Sequence, residues 1–163
     1  MDKLWLQQQV LQRLADDLQR VEQAARFAHE TATHEENIAE NKYDTLGLEA
    51  SYLATGQARR AEALRQALLQ WRQWVPPSYQ PALGIQLGAL VWLVDADGLE
   101  QQLFLGLEGG TMKLCHGDAH IQVISTQAPL ARALLGKCEG DEVVLQVGAV
   151  RQCAWRWCGW SRY

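Results

Sequence analysis

Residues 4–28, LWLQQQVLQRLADDLQRVEQAARFA, carry the repeat that decides the fold of the first half of the chain. Apolar residues recur every seven positions in two interleaved sets: Leu4, Leu11, Leu18 and Ala25 in one, and Leu14, Val21 and Ala28 in the other. This spacing keeps one apolar stripe turned toward a partner helix, as in a coiled coil. It predicts a helix from about Asp2 to Thr31, roughly 45 Å long at 1.5 Å per residue.

A second stripe begins after residues 33–45. Its members alternate in steps of four and three residues: Ala50, Ala54, Gln57, Ala61, Leu64, Leu68, Trp71 and Val75. Because only a short polar segment joins the stripes, we expect them to bury each other in an antiparallel hairpin over residues 1–75 rather than to pair between molecules. Alanine dominates both stripes near the connection, which predicts a thin tip at residues 33–45.

The composition changes near Val75. All four prolines follow this residue, and so do eleven of the thirteen glycines. Residues 76–82 are therefore interpreted as a linker and residues 83–163 as a second domain, because spaced glycines with Val, Leu and Trp favour short strands and turns.

The second domain shows a series of short apolar segments separated by turn residues. The predicted strands are Leu90–Val94, Leu99–Leu105, Met112–Cys115, Ile121–Ile124, Val143–Val147 and Val150–Trp157. A helix is predicted over Pro129–Leu135, since proline suits a first turn and Gly136 follows the end. The predicted class is α+β: a coiled-coil hairpin followed by a small antiparallel sheet packed on one short helix.

Charge and composition restrict the function. A net charge of −4 and an isoelectric point near 5.5 argue against independent, sequence-specific binding of nucleic acid, so a protein partner is expected. The opening residues do not resemble a secretion signal and no apolar run is long enough to cross a bilayer, so a cytoplasmic location without membrane contact is expected.

The four cysteines are expected to be free, partly buried thiols in a reducing compartment: Cys115, Cys138, Cys153 and Cys158. Zinc binding by these cysteines with His116 and His120 is a weaker alternative, because the chain has no Cys-x-x-Cys pair. The cluster of Trp155, Trp157 and Trp160 is interpreted as core or interface.

Acidic residues are concentrated in the connection between the two predicted helices. Residues 29–44 contain five carboxylates and a single lysine. Helix capping explains part of this pattern, because Asn37 with Glu40, or Thr33 with Glu36, has the spacing of a capping box. A second interpretation is that carboxylates at the end of a rigid hairpin supply oxygen ligands to a distant Mg²⁺.

Two motifs resemble the bacterial transcript-cleavage factors GreA and GreB. Residues 37–41, NIAEN, resemble the family's Asp-x-x-Glu-Asn at the tip. Residues 128–143, APLARALLGKCEGDEV, resemble its Ser-Pro-Leu-Gly-Arg-Ala-Leu-Leu-Gly-Lys-x-x-Gly-Asp-x-Val. The resemblance implies a coiled coil joined to a C-terminal domain similar to FK506-binding proteins, which serves for docking rather than prolyl isomerisation.

The resemblance also implies a function. In this family the C-terminal domain docks at the rim of the secondary channel of bacterial RNA polymerase, and the coiled coil enters the channel. The implied site residues are Glu40, Asn37 and Glu36, of which Glu40 and Glu36 would be ligands to Mg²⁺ shared with the polymerase active site. The factor is then a monomer with no cofactor of its own, and the polymerase itself hydrolyses the backtracked RNA.

Asn37 stands where the family pattern has Asp, and a neutral amide is a weaker ligand for a hard cation than a carboxylate. Three functions therefore stay open. The first is a factor that stimulates RNA cleavage through Glu40 with help from Glu36. The second is a regulator that occupies the channel and inhibits the polymerase without cleavage. The third is a coiled-coil adaptor that never meets polymerase.

Overall fold

The computed structural model describes residues 2–33, 46–78, 80–95, 98–147 and 151–160. Three α-helices are present in these ranges: α1 (Lys3–Thr33), α2 (Leu46–Gln73) and α3 (Pro129–Leu134). Six strands accompany them: β1 (Leu90–Asp95), β2 (Glu100–Gly106), β3 (Met112–His116), β4 (Ala119–Ser125), β5 (Glu142–Val147) and β6 (Arg151–Trp160). The predicted α+β class is confirmed.

The heptad stripes correspond to the two long helices. The Asp2 carboxylate caps α1 by accepting a hydrogen bond from the Leu4 N–H at 3.1 Å. Stripe residues Leu14, Ala28, Ala61 and Leu68 are buried. Helix α1 pairs with α2 through an ion pair between Glu22 and Arg65, 2.6 Å apart. Both predicted helices are therefore confirmed.

The outermost member of each stripe was wrongly predicted to be buried. Leu4 is 56% exposed and Val75 is 78% exposed. Val75 lies beyond the end of α2 at Gln73, and the first turns of α1 bury Leu6 and Val10 instead of Leu4. The reason is that these turns belong to the same compact unit as the sheet, so burial there is not decided by the partner helix alone.

The chain folds into two compact units. One unit comprises residues 11–69 and contains most of the two long helices. The other comprises the residues up to Val10 together with those from Gln70 onward, and it contains the sheet. This division falls inside the helices, whereas the predicted linker spans residues 76–82.

The sheet has the strand order β3-β4-β2-β1-β6-β5. Four neighbouring pairs are antiparallel and one pair, β2 with β4, is parallel. The expectation of a purely antiparallel sheet is therefore wrong at this pair. The cause is the path of the chain: after β2 it forms the outermost strand β3 and returns through a tight turn into β4, which lies between them and runs in the direction of β2.

The two faces of the sheet have different neighbours. On one face, Leu103 and Leu105 of β2 pack with Ala131 and Leu134 of α3 in a buried apolar cluster. On the other, the Phe104 ring lies near the rings of Trp71 and Trp74, with centroids 6.4 and 6.3 Å apart. Both faces of β2 are thus buried, which explains its central run of apolar residues.

Candidate functional site

The residues that the sequence places at the tip of the hairpin lie outside the described residues. Glu36, Asn37 and Glu40 belong to residues 34–45, between the described end of α1 at Thr33 and the described start of α2 at Leu46. The capping alternative with Asn37 lies in the same segment, outside the described residues. The alternative with Thr33 is wrong, because Thr33 is the last residue of α1 and does not begin a second helix. The ligand types follow from the residue types alone. The carboxylate oxygens of Glu36 and Glu40 suit Mg²⁺, and Asn37 offers a neutral amide oxygen.

The second motif, residues 128–143, lies within the described residues and ends in the first two residues of β5. Ala128 has extended backbone angles, φ −62° and ψ 138°, and Pro129 begins α3. The family pattern has serine at position 128, and here no side chain caps the helix. Pro129 lacks an N–H, and an N–H in the first turn of the helix would have had no partner within the helix. The sequence prediction of this helix is confirmed, with its end at Leu134 instead of Leu135.

Helix α3 ends in a turn that needs glycine. Gly136 has φ 76°, a conformation that residues with a Cβ rarely adopt. Its N–H donates to the Ile85 carbonyl at 2.8 Å, and the Ile85 N–H donates to the Lys137 carbonyl at 2.9 Å. A Cβ at Gly84 would lie 2.6 Å from the Gly136 and Lys137 carbonyl oxygens. The Leu-Gly-Lys part of the motif therefore holds the chain segment that leads into β1.

The Gly-Asp part of the motif closes a second turn. The Asp141 carboxylate accepts a hydrogen bond from the Cys138 N–H at 2.8 Å, and the Asp141 N–H donates to the Cys138 carbonyl at 3.0 Å. Gly140 between them has φ 90°. After this turn Val143 enters the buried cluster. Each of these matching residues therefore has a structural role in this chain.

The motif also has an outward side. Leu135 is 39% exposed next to the fully buried Leu134, and Pro129 is exposed. Arg132 is exposed and donates a hydrogen bond to the side chain of Gln127. These residues are the part of the motif that a protein partner could contact. Sequence reasoning recognised the motif but did not separate its buried side from its outward side.

The cysteine and histidine residues of β3 and β4 do not all converge, as the zinc alternative would require. Cys115 Sγ lies 3.4 Å from His120 Nδ1. The ring of His116 instead stacks on Trp5, with centroids 4.4 Å apart. Within the described ranges no group of three or more His, Cys, Asp and Glu side chains converges as a metal site would require.

The cysteines that the structure describes in detail are free. Cys115 and Cys138 are exposed, so partial burial was wrong for these two. Cys153 and Cys158 lie on β6, as do Trp155, Trp157 and Trp160. The strand pairing places Trp155 opposite Asp95 and Trp157 opposite Leu93 on the central strand β1.

Lys3 has a perturbed environment at the start of α1. Its ammonium donates to the Pro77 carbonyl at 2.9 Å, and partial burial lowers its pKa below the ordinary value. This contact ties the beginning of α1 to the segment that follows α2. Neither Lys3 nor Pro77 belongs to one of the two motifs, so we assign this contact a structural role.

No helix in the described part of the chain combines the length and apolarity of a membrane span. No family model matches the chain. No curated protein matches it either.

Several solved structures are similar to the chain. GreA factor homolog 1 (Gfh1) of Thermus thermophilus is 22% identical, covering 91% of this chain and 92% of that chain, with a TM-score of 0.38. Gfh1 of Thermus aquaticus is 19% identical, covering 91% of each chain, with a TM-score of 0.40. The transcription elongation factor GreA/GreB from Nitrosomonas europaea is 20% identical, covering 60% of this chain and 76% of that chain, with a TM-score of 0.38. Because identities and TM-scores are low, these similarities establish no shared function.

Proposed function

We propose that this chain is a Gre-type accessory factor of bacterial RNA polymerase. Residues 83–163 would dock at the rim of the secondary channel, and the hairpin of α1 and α2 would enter it. The carboxylate of Glu40, with help from Glu36, would then lie near the Mg²⁺ of the polymerase and promote cleavage of backtracked RNA. As such a factor the chain would act as a cytoplasmic monomer and would not be an enzyme by itself.

The observation that carries this proposal is the fit of residues 128–143 to the family pattern. The match extends beyond residue types, because Gly136, Gly140 and Asp141 each close a turn that requires them, and Leu134 is buried. A chance resemblance would not be expected to fall on positions with such specific backbone requirements.

The paired helices are the second support. Helices α1 and α2 are 31 and 28 residues long, and an acidic segment connects them. Such a segment can deliver oxygen ligands to a cation held by another protein, while the chain supplies only part of the coordination. Glu36 and Glu40 are the carboxylates we assign to this role, and Asn37 supplies a neutral amide oxygen.

The proposal can be tested with a stalled, backtracked elongation complex. Adding the full chain with Mg²⁺ should produce RNA that is shortened at its 3′ end. Glu40→Gln should remove most of this cleavage, and Glu36→Gln should reduce it. Glu100→Gln is the matched control, because this exposed carboxylate lies outside both motifs and should leave cleavage unchanged.

Two results would count against the proposal. Full cleavage with Glu40→Gln would remove the role assigned to that residue. Failure of the full chain to bind the polymerase at all would overturn the proposed function and favour the adaptor hypothesis.

A second function is favoured by one specific residue. Asn37 occupies the position of the family Asp, so the tip holds one anionic ligand fewer than the pattern requires. The chain would then occupy the channel and slow nucleotide addition without producing shortened RNA. Asn37→Asp should in that case add cleavage activity, whereas in a factor that already cleaves it should only increase the rate.

A further inference from the structure

Strand pairing brings one cysteine and one histidine together on the β3–β4 hairpin. Cys115 and His120 are opposite each other in the antiparallel register, and their side chains meet at 3.4 Å between Sγ and Nδ1. Side chains alternate between the two faces of a strand, so the neighbouring His116 points away from this pair. Its ring stacks on Trp5 instead.

The distance between the two atoms matches the geometry of a tetrahedral metal centre. Zinc lies about 2.3 Å from a cysteine sulfur and about 2.0–2.1 Å from a histidine nitrogen. With a tetrahedral angle between these bonds, the two donor atoms are about 3.5 Å apart. Cys115 and His120 already have nearly this separation, so a metal ion could bind without any change in the strand register.

The position of the pair leaves room for other ligands. Both side chains are exposed, and β3 is an outermost strand of the sheet. Lys113, two residues before Cys115 and on the same face, is also exposed, so its ammonium can remain in water at a distance from a cation. Gln122, the next residue on that face of β4, is occupied by a hydrogen bond from Gln101 at 3.0 Å.

We propose that Cys115 and His120 bind a divalent transition-metal ion such as Zn²⁺ through Sγ and Nδ1. The thiol proton is released to solvent when the sulfur–metal bond forms, and water occupies the two remaining positions. In the metal-free chain a hydrogen bond between Sγ and Nδ1 holds the same two atoms together. A thiolate and an imidazole select this class of metal against Mg²⁺ and Ca²⁺, so the site is chemically distinct from the carboxylates at the tip.

This site does not depend on the proposed function. Because the chain supplies two ligands rather than the four of a closed structural site, the metal should bind reversibly and exchange with solvent. The chain would therefore fold without the metal, unlike a zinc finger.

Cobalt titration of the full chain tests the proposal, because Co²⁺ replaces Zn²⁺ and reports its ligands by absorption. Under metal-free reducing conditions, binding should produce a thiolate-to-cobalt charge-transfer band in the near ultraviolet. Excess Zn²⁺ should remove the band. A pH indicator should record the release of one proton for each metal bound, as expected if one thiol loses its proton.

Four variants identify the ligands. Cys115→Ser should abolish the band, and His120→Gln should weaken binding strongly. Cys138→Ser is the matched control, since Cys138 is also an exposed free thiol, and His116→Gln tests the neighbouring histidine. Both controls should bind Co²⁺ as the unmodified chain does. Circular dichroism should show the same fold for all variants, because the substituted side chains are exposed.

Three results would overturn the proposal: no charge-transfer band with the unmodified chain, a band that survives Cys115→Ser, or equal affinity in His120→Gln. A band that persists without Cys115 would assign the metal to another cysteine. Polymerase binding and RNA cleavage are measured with the unmodified chain without added Zn²⁺, so failure of the metal site and failure of the proposed function are separately observable.

Discussion

The Gln7 side-chain amide donates a hydrogen bond to the main-chain carbonyl of Trp71 across 2.7 Å. The same nitrogen lies 2.6 Å from the carbonyl of Trp74. Carbonyl groups in the last turn of a helix have no partner within the helix, and α2 ends at Gln73. Gln7 therefore caps the end of α2 from the neighbouring helix α1, and only 9% of its surface is exposed.

This relationship predicts that Gln7→Leu destabilises the chain, although leucine would continue the heptad stripe. The substitution leaves two main-chain acceptors without their partner, and one unsatisfied buried acceptor costs about 1–3 kcal/mol. Urea unfolding of the full chain measures the change. Gln8→Leu is the control, because Gln8 is exposed and should cost little. A Gln7→Leu chain as stable as the unmodified one would show that the cap contributes nothing.

The packing of Trp71 predicts that a larger residue at position 106 destabilises the chain. Its buried ring packs against Gly106 and Gly110, and its Nε1 donates to the Glu108 carbonyl at 3.1 Å. A Cβ at Gly106 would overlap the ring, so Gly106→Ala should lower the free energy of unfolding by about 1–3 kcal/mol, as for other overpacked sites. Thermal and urea unfolding would measure this loss.

Gly56→Ala is the control for Gly106→Ala, and its effect on stability should have the opposite sign. It lies within α2, and a Cβ there would meet nothing within 4 Å. Gly56→Ala should raise the free energy of unfolding by about 0.5–1 kcal/mol, because alanine loses less conformational freedom in a helix. If Gly106→Ala were also stabilising, the close packing of Trp71 would be contradicted.

A small pH dependence is predicted at Glu62. Hydrogen bonds from Gln66 and then Arg65 lower its pKa below the ordinary value of 4.5. A carboxyl group with a lowered pKa in the folded state stabilises the fold above its unfolded pKa, and this contribution is lost as pH falls through the folded pKa. Glu62 is exposed, so the contribution is small and decreases with added salt.

Thermal unfolding checks the assignment at Glu62 when it is measured at pH values from above the unfolded pKa to below the folded pKa. Gln66→Ala removes the larger of the two interactions and should return the pKa of Glu62 toward its ordinary value. The acid-dependent loss of stability should then be smaller than in the unmodified chain. An identical pH profile in the two proteins would show that the hydrogen bond from Gln66 has no effect on the folded state.

Substitutions of Leu134 and Leu135 are expected to affect different properties, namely stability and polymerase binding. Leu135 is partly exposed, so Leu135→Asp should weaken polymerase binding with little change in stability if the outward side of the motif contacts the partner. Leu134 is fully buried, and Leu134→Ala should cost about 2–5 kcal/mol in unfolding. Competition for polymerase against the unmodified chain measures the first effect. Unchanged affinity of Leu135→Asp would exclude that surface from the interface.

Local patterns predicted the secondary structure closely. The heptads specified both long helices, and alternation between turn residues located all six strands. Pro129 and Gly136 marked the limits of α3 to within one residue. These signals succeed because capping, helical periodicity and positive φ depend on residues only a few positions apart. The tip residues Glu36, Asn37 and Glu40 stay a prediction from sequence.

Interactions between distant residues could not be predicted in this way. The heptad pattern favours an apolar residue at position 7, yet Gln7 is required there because the end of α2 lies beside it. The zinc alternative grouped both His116 and His120 with the cysteines, whereas strand register joins Cys115 to His120 and His116 stacks on Trp5.

By itself, the sequence determined which segments form helices and strands, where glycine must end a helix, and which motif resembles the Gre factors. The tertiary structure alone decided that β4 runs parallel to β2, that Trp71 packs on Gly106, and that Cys115 meets His120. The physical reason is that these interactions depend on strand order and register, which are established between distant segments as they bury both faces of the central strand β2.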